Sequence, residues 1–442
     1  MRSRSVNGMK RKFWLVLSLL LFVAQLQAGP KIQSWHTSKG ARVLFVAAPE
    51  LPMVDVRLVF DAGSARDDGK PGVTSLTNTL MGEGAGEWNA DQIAERLENV
   101  GAELEVGSLR DMAWVALRSL TDAKPLATGL ETLAAVVANP RFEPEDLERE
   151  RQATLASLLA DEQSPGAIGK KALYRLVFGD HPYAHPVEGS QASVKALTRA
   201  DLLATYRRLY VARNAVVAIV GAVDRAQAEQ IAEQVTAGLT EGEPAPALPE
   251  VAPIGQAQLE SIEFPSSQSH IYLGQPGMKR GDPDYFALYV GNHVLGGSGL
   301  VSILSEEVRE KRGLSYSVYS YFLPMRQSGI FQLGLQTKNV QADQAQQVLL
   351  DTLKRYVSEG PTAAELKAAK QNITGGFPLR IASNSKIVEY LAVIGFYDLP
   401  LDYLDSFTAK VEAVTVRQVR DAFRRRIHPD RLVTVRVGRQ GS

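Results

Sequence analysis

The sequence contains no cysteine in its 442 residues. That excludes disulfides, thiolate zinc sites, cysteine nucleophiles and a lipid-modified cysteine. It has no net charge either: 49 basic residues balance 49 acidic ones, so neither a nucleic-acid partner nor a strongly charged substrate is indicated. Histidine is scarce, at six. His181 and His185 stand four apart, but Pro182 and Pro186 prevent a regular helix there. His36, His270, His293 and His428 have no ligand-type neighbours at useful spacing, so the chain reads as metal-free. There is no P-loop, dinucleotide fingerprint or GxSxG elbow. Glu83, Glu87 and the acids of 145–150 read as helix ends and solvated faces rather than paired catalytic carboxylates.

What is present begins with a leader. Arg2, Arg4, Lys10, Arg11 and Lys12 precede an apolar run of eleven, Phe13 to Val23, broken only by Ser18. Leu26-Gln27-Ala28 then offers a small residue for cleavage. The run is too short for a comfortable membrane span, so residues 1–28 read as a secretory signal peptide. The expectation is a soluble periplasmic protein with no stable membrane insertion once the leader is removed. A mitochondrial presequence is the alternative, because the start holds Arg and Ser and lacks acids; the continuous apolar run argues against it. Met9 is an alternative start.

The length calls for two or more domains. Strands are predicted at 42–48 and 54–62, helices at 73–81 and 89–100, paired strands at 103–106 and 112–117, then helices at 126–137, 145–159 and 172–177. A buried strand follows at 216–220. Residues 241–253 hold four prolines and almost no core pattern, which makes residues 241–256 a semi-extended linker between units at 29–240 and 257–442. The second unit repeats the first. Leu197-Thr198 through Tyr206-Arg207-Arg208 to Val216, Val220 and Gly221 realigns without a gap on Val414-Thr415 through Phe423-Arg424-Arg425 to Val433, Val437 and Gly438, an offset of 217 residues. Strands and helices of ordinary length in each copy predict an α+β fold of two homologous domains, each a mainly antiparallel sheet with helices packed on it.

One stretch carries the most chemistry. The glycine run Gly296-Gly297-Ser298-Gly299 leads into a predicted amphipathic helix with Leu300, Ile303, Leu304 and Val308 on one face. Gly313 stops it, and a strand is predicted from Leu314 to Phe322. Arg309 and Tyr316 then face each other across the helix-strand corner as two hydrogen-bond donors, suited to a peptide carbonyl or a developing oxyanion.

This segment resembles the C-terminal signature of the M16 (pitrilysin/insulinase) metallopeptidase family, a glycine loop followed by SxL and LRExRGLxYxVxS. The resemblance covers nearly all of the mature chain and implies a two-domain M16B-type chain forming half of a clamshell. It also implies that Arg309 and Tyr316 contact the substrate backbone next to the scissile bond, with Gly296, Gly297, Ser298 and Gly299 letting that backbone approach. Family members with peptidase activity carry the zinc motif HxxEH on the first long helix. Here the framing Ala62-Gly63-Ser64-Ala65-Arg66-Asp67 is similar to the family's pattern, but the motif reads Ser75-Leu76-Thr77-Asn78-Thr79. The third ligand's position falls at Ser157. The His181-Pro182-Tyr183 segment matches a structural turn of the family. The resemblance therefore implies a chain without a cofactor of its own, the Arg/Tyr-bearing subunit of a heterodimeric zinc endopeptidase whose HxxEH partner holds the zinc. The substrate this resemblance implies is a peptide or unfolded polypeptide. The alternatives are a non-catalytic scaffold or peptide-binding subunit of a periplasmic or membrane-associated complex, and a homodimeric peptide binder.

Overall fold

The computed structural model describes residues 31–439, so the leader expected at residues 1–28 lies outside the described residues. In the first half, β1 (Gln33–His36), β2 (Arg42–Ala47), β3 (Met53–Phe60), β4 (Glu103–Ser108), β5 (Ala113–Leu120) and β6 (Ala215–Gly221) form a sheet in the order β1-β2-β6-β3-β5-β4. All neighbours are antiparallel except β2 and β6. In the second half, β7 (Gln258–Glu263), β8 (Gln268–Pro276), β9 (Val318–Leu323), β10 (Ile330–Lys338) and β11 (Val433–Gly438) form a sheet in the order β7-β11-β8-β10-β9. Its one parallel pair is β7 with β11. Set β1 aside and the two orders match strand for strand. The repeat read from the sequence is thus a repeat of topology, and β6 and β11 are its equivalent valine-rich interior strands.

The first half carries α1 (Val73–Met81), α2 (Ala90–Glu98), α3 (Ala123–Ala138), α4 (Pro144–Asp161), α5 (Pro165–Phe178), α6 (Gln191–Ala196), α7 (Arg199–Leu209) and α8 (Arg225–Thr236). The second carries α9 (Tyr285–Asn292), α10 (Ala342–Glu359), α11 (Ala363–Arg380), α12 (Asn384–Phe396), α13 (Tyr403–Ala413) and α14 (Val416–Arg426). Local chemistry fixes the starts. Thr198 and Thr415, equivalent in the repeat, form capping boxes with Asp201 and Gln418, and Asn89 does the same with Gln92.

The two halves exchange helices. α5 lies on β8 and β11 of the second sheet, while α12 lies on β6, β3 and β2 of the first. Contact is close enough to require glycine: a Cβ on Gly169 would stand 2.4 Å from the Tyr272 ring, and one on Gly395 2.5 Å from Val216. Buried Leu173, Val177 and Phe178 of α5, and Val388, Leu391 and Ile394 of α12, each contribute about 1.5–3 kcal/mol by leaving water. Asp111 joins the halves as well, accepting from the hydroxyls of Tyr183 and Tyr397 and from the Arg326 amide. The proline-rich segment has no regular element yet is tied down along its length. Arg213 donates its amide to Glu241, Arg66 its guanidinium to the Pro246 carbonyl, and Gln327 its side-chain amide to Leu248.

Candidate functional site

Two places bear on chemistry. The first is α1, whose start is set by the framing residues. Arg66 grips Asp61 with two hydrogen bonds of 2.7 and 2.8 Å. The Asp67 carboxylate accepts from the Gly72 and Thr74 amides and the Thr74 hydroxyl. Burial pushes Asp67 up to about 6 against the pull of those bonds and of His185, 3.7 Å away. Beyond this cap, the positions of an HxxEH motif are filled by Ser75, Asn78 and Thr79. Asn78 is 1% exposed. Its Nδ2 donates to the Gly107 carbonyl at 2.7 Å and reaches that of Trp114 at 3.4 Å, while its Oδ1 accepts from the Tyr210 hydroxyl at 3.0 Å. Thr77 and Thr79 bond back to the carbonyls of Val73 and Ser75. Asn78 and Thr79 are thus tied internally, Ser75 is half-buried, and the third position, Ser157, sits exposed on α4. His181 is also committed: its Nδ1 accepts from the Tyr183 amide at 3.1 Å, which leaves Nε2 to donate to the Pro249 carbonyl at 3.0 Å. His185 faces the Pro186 carbonyl. This is the structural turn that the resemblance implied.

The second place is the corner carrying Arg309 and Tyr316. α9 runs into a π-helical turn, His293–Gly297, followed by a short 3-10 turn, Gly299–Val301, and a second π-helical turn, Ser305–Glu310. The expected continuous amphipathic helix from Leu300 is therefore corrected. Gly299, at φ +64°, breaks the path, Ser302 restarts it by accepting from the Ser305 amide, and Leu300 stands 65% exposed. Wide turns of this kind concentrate at functional sites because they re-aim side chains. Gly313, at φ +62°, closes the second turn, with the Leu314 amide bonded to the Val308 carbonyl. The strand expected from Leu314 begins only at Val318, because Ser315 turns its hydroxyl onto the carbonyls of Ser317 and Gln336 and holds 314–317 as a bend.

Arg309 and Tyr316 line one cleft of about 340 Å³, whose far wall is Gln268, Gln336 and Lys338. Tyr316 is 89% exposed, and its hydroxyl has no hydrogen-bond partner among the described residues. Arg309 makes only a loose contact, 3.6 Å, with Glu310. Val301, on the 3-10 turn before Arg309, is 84% exposed, and Val340, next to Gln341 of the cleft wall, is exposed too. Of the glycine run, Gly297 and Gly299 face solvent and Ser298 is half-buried, but Gly296 is buried. A Cβ there would lie 2.4 Å from the Ser320 hydroxyl, so Gly296 serves the docking of the His293–Gly297 turn on β9 and does not line the cleft.

Sequence reasoning missed what holds this corner. Glu307 is buried and accepts from Arg312 at 2.7 Å, Arg355 at 2.9 Å and Lys311 at 3.1 Å. Burial alone would raise its carboxyl, but these hydrogen bonds prevail and hold it down at about 2. The i, i+4 pair of Glu307 with Lys311 was the available signal; Arg355 comes from α10 and is invisible locally.

With this geometry in view, the comparisons are informative. A family model described as insulinase (peptidase family M16) matches residues 42–191, and one described as peptidase M16 inactive domain matches residues 196–373. An uncharacterized zinc protease of Mycobacterium tuberculosis is 30% identical over 386 residues, 86% of this chain and 87% of its own length. A Helicobacter pylori protein named a non-peptidase homolog is 25% identical over 419 residues, covering 93% of this chain and 94% of its own. The crystal structure of a peptidase M16 inactive domain from Pseudomonas fluorescens superposes with a TM-score of 0.90 at 40% identity, covering 93% of this chain and 98% of that one.

Proposed function

The chain belongs to the peptidase M16 (insulinase) family, and on that premise we propose that it is the zinc-free subunit of a heterodimeric M16 endopeptidase. Its partner is an M16 homologue that retains HxxEH and holds the zinc. In this reading Arg309 and Tyr316 would face the partner's site, hold the main chain of a peptide or unfolded polypeptide, and donate to the developing oxyanion, while a zinc held by the partner would supply Lewis acidity and an activated water. Gly297, Ser298 and Gly299 border the path of the substrate backbone. The observation that carries the proposal is the contrast between the two places. At the Glu position of the motif Asn78 is consumed by buried hydrogen bonds, whereas Tyr316 stands in a cleft without a hydrogen bond and Arg309 beside it makes only a loose ion contact. Exposed Leu300 and Val301 of the turn that precedes Arg309, and exposed Val340 next to Gln341 of the cleft wall, supply apolar area that a partner subunit would cover. A periplasmic setting follows from the basic-then-apolar leader alone.

The test is peptide cleavage by this chain, by an HxxEH homologue from the same genome, and by the two mixed. Activity confined to the mixture, and lost on Arg309→Ala or Tyr316→Phe, supports the proposal. Cleavage by this chain alone that a chelator abolishes contradicts it. A second reading, a scaffold subunit without a part in the chemistry, is favoured by the relative named a non-peptidase homolog. It is the outcome if a complex forms but no mixture cleaves.

A further inference from the structure

A second cavity, sharing no lining residue with the cleft at Arg309, opens among α9, α11, α12 and α13 and measures about 680 Å³. That is the size of a small-molecule site. Its walls are aromatic. Tyr285 and Tyr289 stack parallel at 5.8 Å, Tyr390 and Tyr403 face in from α12 and α13, and Phe407 closes the floor against Phe377. Three cations also line it: Arg280, Arg380 and Lys386. The single carboxylate, Glu389, is drawn toward Arg57 of the first half at 3.8 Å.

Two polar atoms here lack what burial demands. The Tyr289 hydroxyl is buried with no partner of normal hydrogen-bond geometry, although the Arg380 guanidinium faces it, and the buried Nε of Arg280 is likewise unpartnered. An unpaired buried donor is costly, and a ligand that accepts from it recovers that cost. The charge balance selects the ligand. A tyrosine cage by itself would suit a cation, but three resident cations oppose one. A neutral apolar ligand would leave the donors unpaired. A carboxylate satisfies both, since it matches the guanidinium fork, while a flat ring fills the space between the tyrosines.

We propose that this cavity is a binding site for an aromatic carboxylate, either a small free acid or the C-terminal aromatic residue of a peptide. Arg380 and Lys386 hold the carboxylate at the mouth, the Tyr289 hydroxyl and Arg280 contribute inside, and the stacked tyrosines sandwich the ring. The site needs neither zinc nor a partner, so it stands or falls separately from the shared-peptidase reading.

Isothermal titration calorimetry on the intact chain tests it with three probes: 3-phenylpropionate, its neutral amide, and a short peptide ending in phenylalanine with a free carboxyl. Saturable binding of the acid at least about tenfold tighter than the amide is expected, with Arg380→Gln weakening the acid by about tenfold and leaving the amide unchanged. Tighter binding of the peptide than of phenylpropionate supports the site as a reader of peptide termini; the reverse supports it as a free-acid site. Arg380 ends its helix at the surface, so its variant is expected to melt with the parent, and Lys386→Gln provides an independent second variant. Acid and amide binding alike, acid affinity unchanged in both folded variants, or no saturation by any probe at about 10 mM would each overturn the proposal.

Discussion

Helix α1 and the corner at 305–316 are opposite solutions to one problem, what to do with polar side chains at a place built for chemistry. On α1 the polar groups turn inward. Asn78 is held by two strands and by Tyr210, and the threonines bond their own helix. At the corner the internal ties fall on Glu307, Lys311, Arg312 and Arg355, and Arg309 and Tyr316 are left over. A hydrogen-bonded buried side chain cannot meet a substrate, whereas an exposed one without a hydrogen bond, such as Tyr316, contributes little to stability. The difference separates residues that now hold the fold from residues that remain free to act.

That separation is breakable. The largest effect on stability is expected for Asn78→Glu, which sets a carboxylate against the Gly107 and Trp114 carbonyls in the core. A loss of about 3–5 kcal/mol, seen as a collapsed urea midpoint, is expected. Next comes Gly296→Ala, whose new methyl meets Ser320; about 1–3 kcal/mol of overpacking would lower the melting temperature by several degrees. Glu307→Gln weakens three charged hydrogen bonds and is expected to cost about 1–3 kcal/mol while loosening the corner.

The two places should also respond to pH in opposite directions, which amide exchange can follow locally. Asp67, raised to about 6 from 3.8, contributes stability in full below pH 3.8 and loses it as pH rises through 6, so amides at the start of α1 become less protected over that span. Glu307, lowered to about 2 from 4.5, contributes above pH 4.5 and loses it as pH falls through 2, so the corner loosens on the acid side. Identical trends in both places would break the contrast.

The sequence disclosed the repeat, the capping residues, the α+β class and the Arg309–Tyr316 corner, because all of these are written in local pattern or in a signature. It disclosed the loss of the zinc residues but not what replaced them. The partners of Asn78 lie on β4, on β5 and just past the end of α7, far along the chain. The exchange of α5 and α12 was illegible for the same reason: an apolar helix face does not state which sheet it covers. The corner's helix was misread because Leu300 and Ile303 keep helical spacing, while Gly299 and the π-helical turns decide the path. The role expected of Gly296 gave way to packing, since a glycine against a strand and a glycine against a substrate look alike in one dimension.

The account rests on Tyr316 being free to act and free of structural duty. Tyr316→Phe, measured in the mixture with the HxxEH homologue, tests this most directly. Turnover is expected to fall on the order of 10²–10³-fold, with the melting temperature of the isolated chain changed by no more than about 0.5 kcal/mol would produce. Unchanged turnover in an active mixture, or a variant that unfolds, would contradict it.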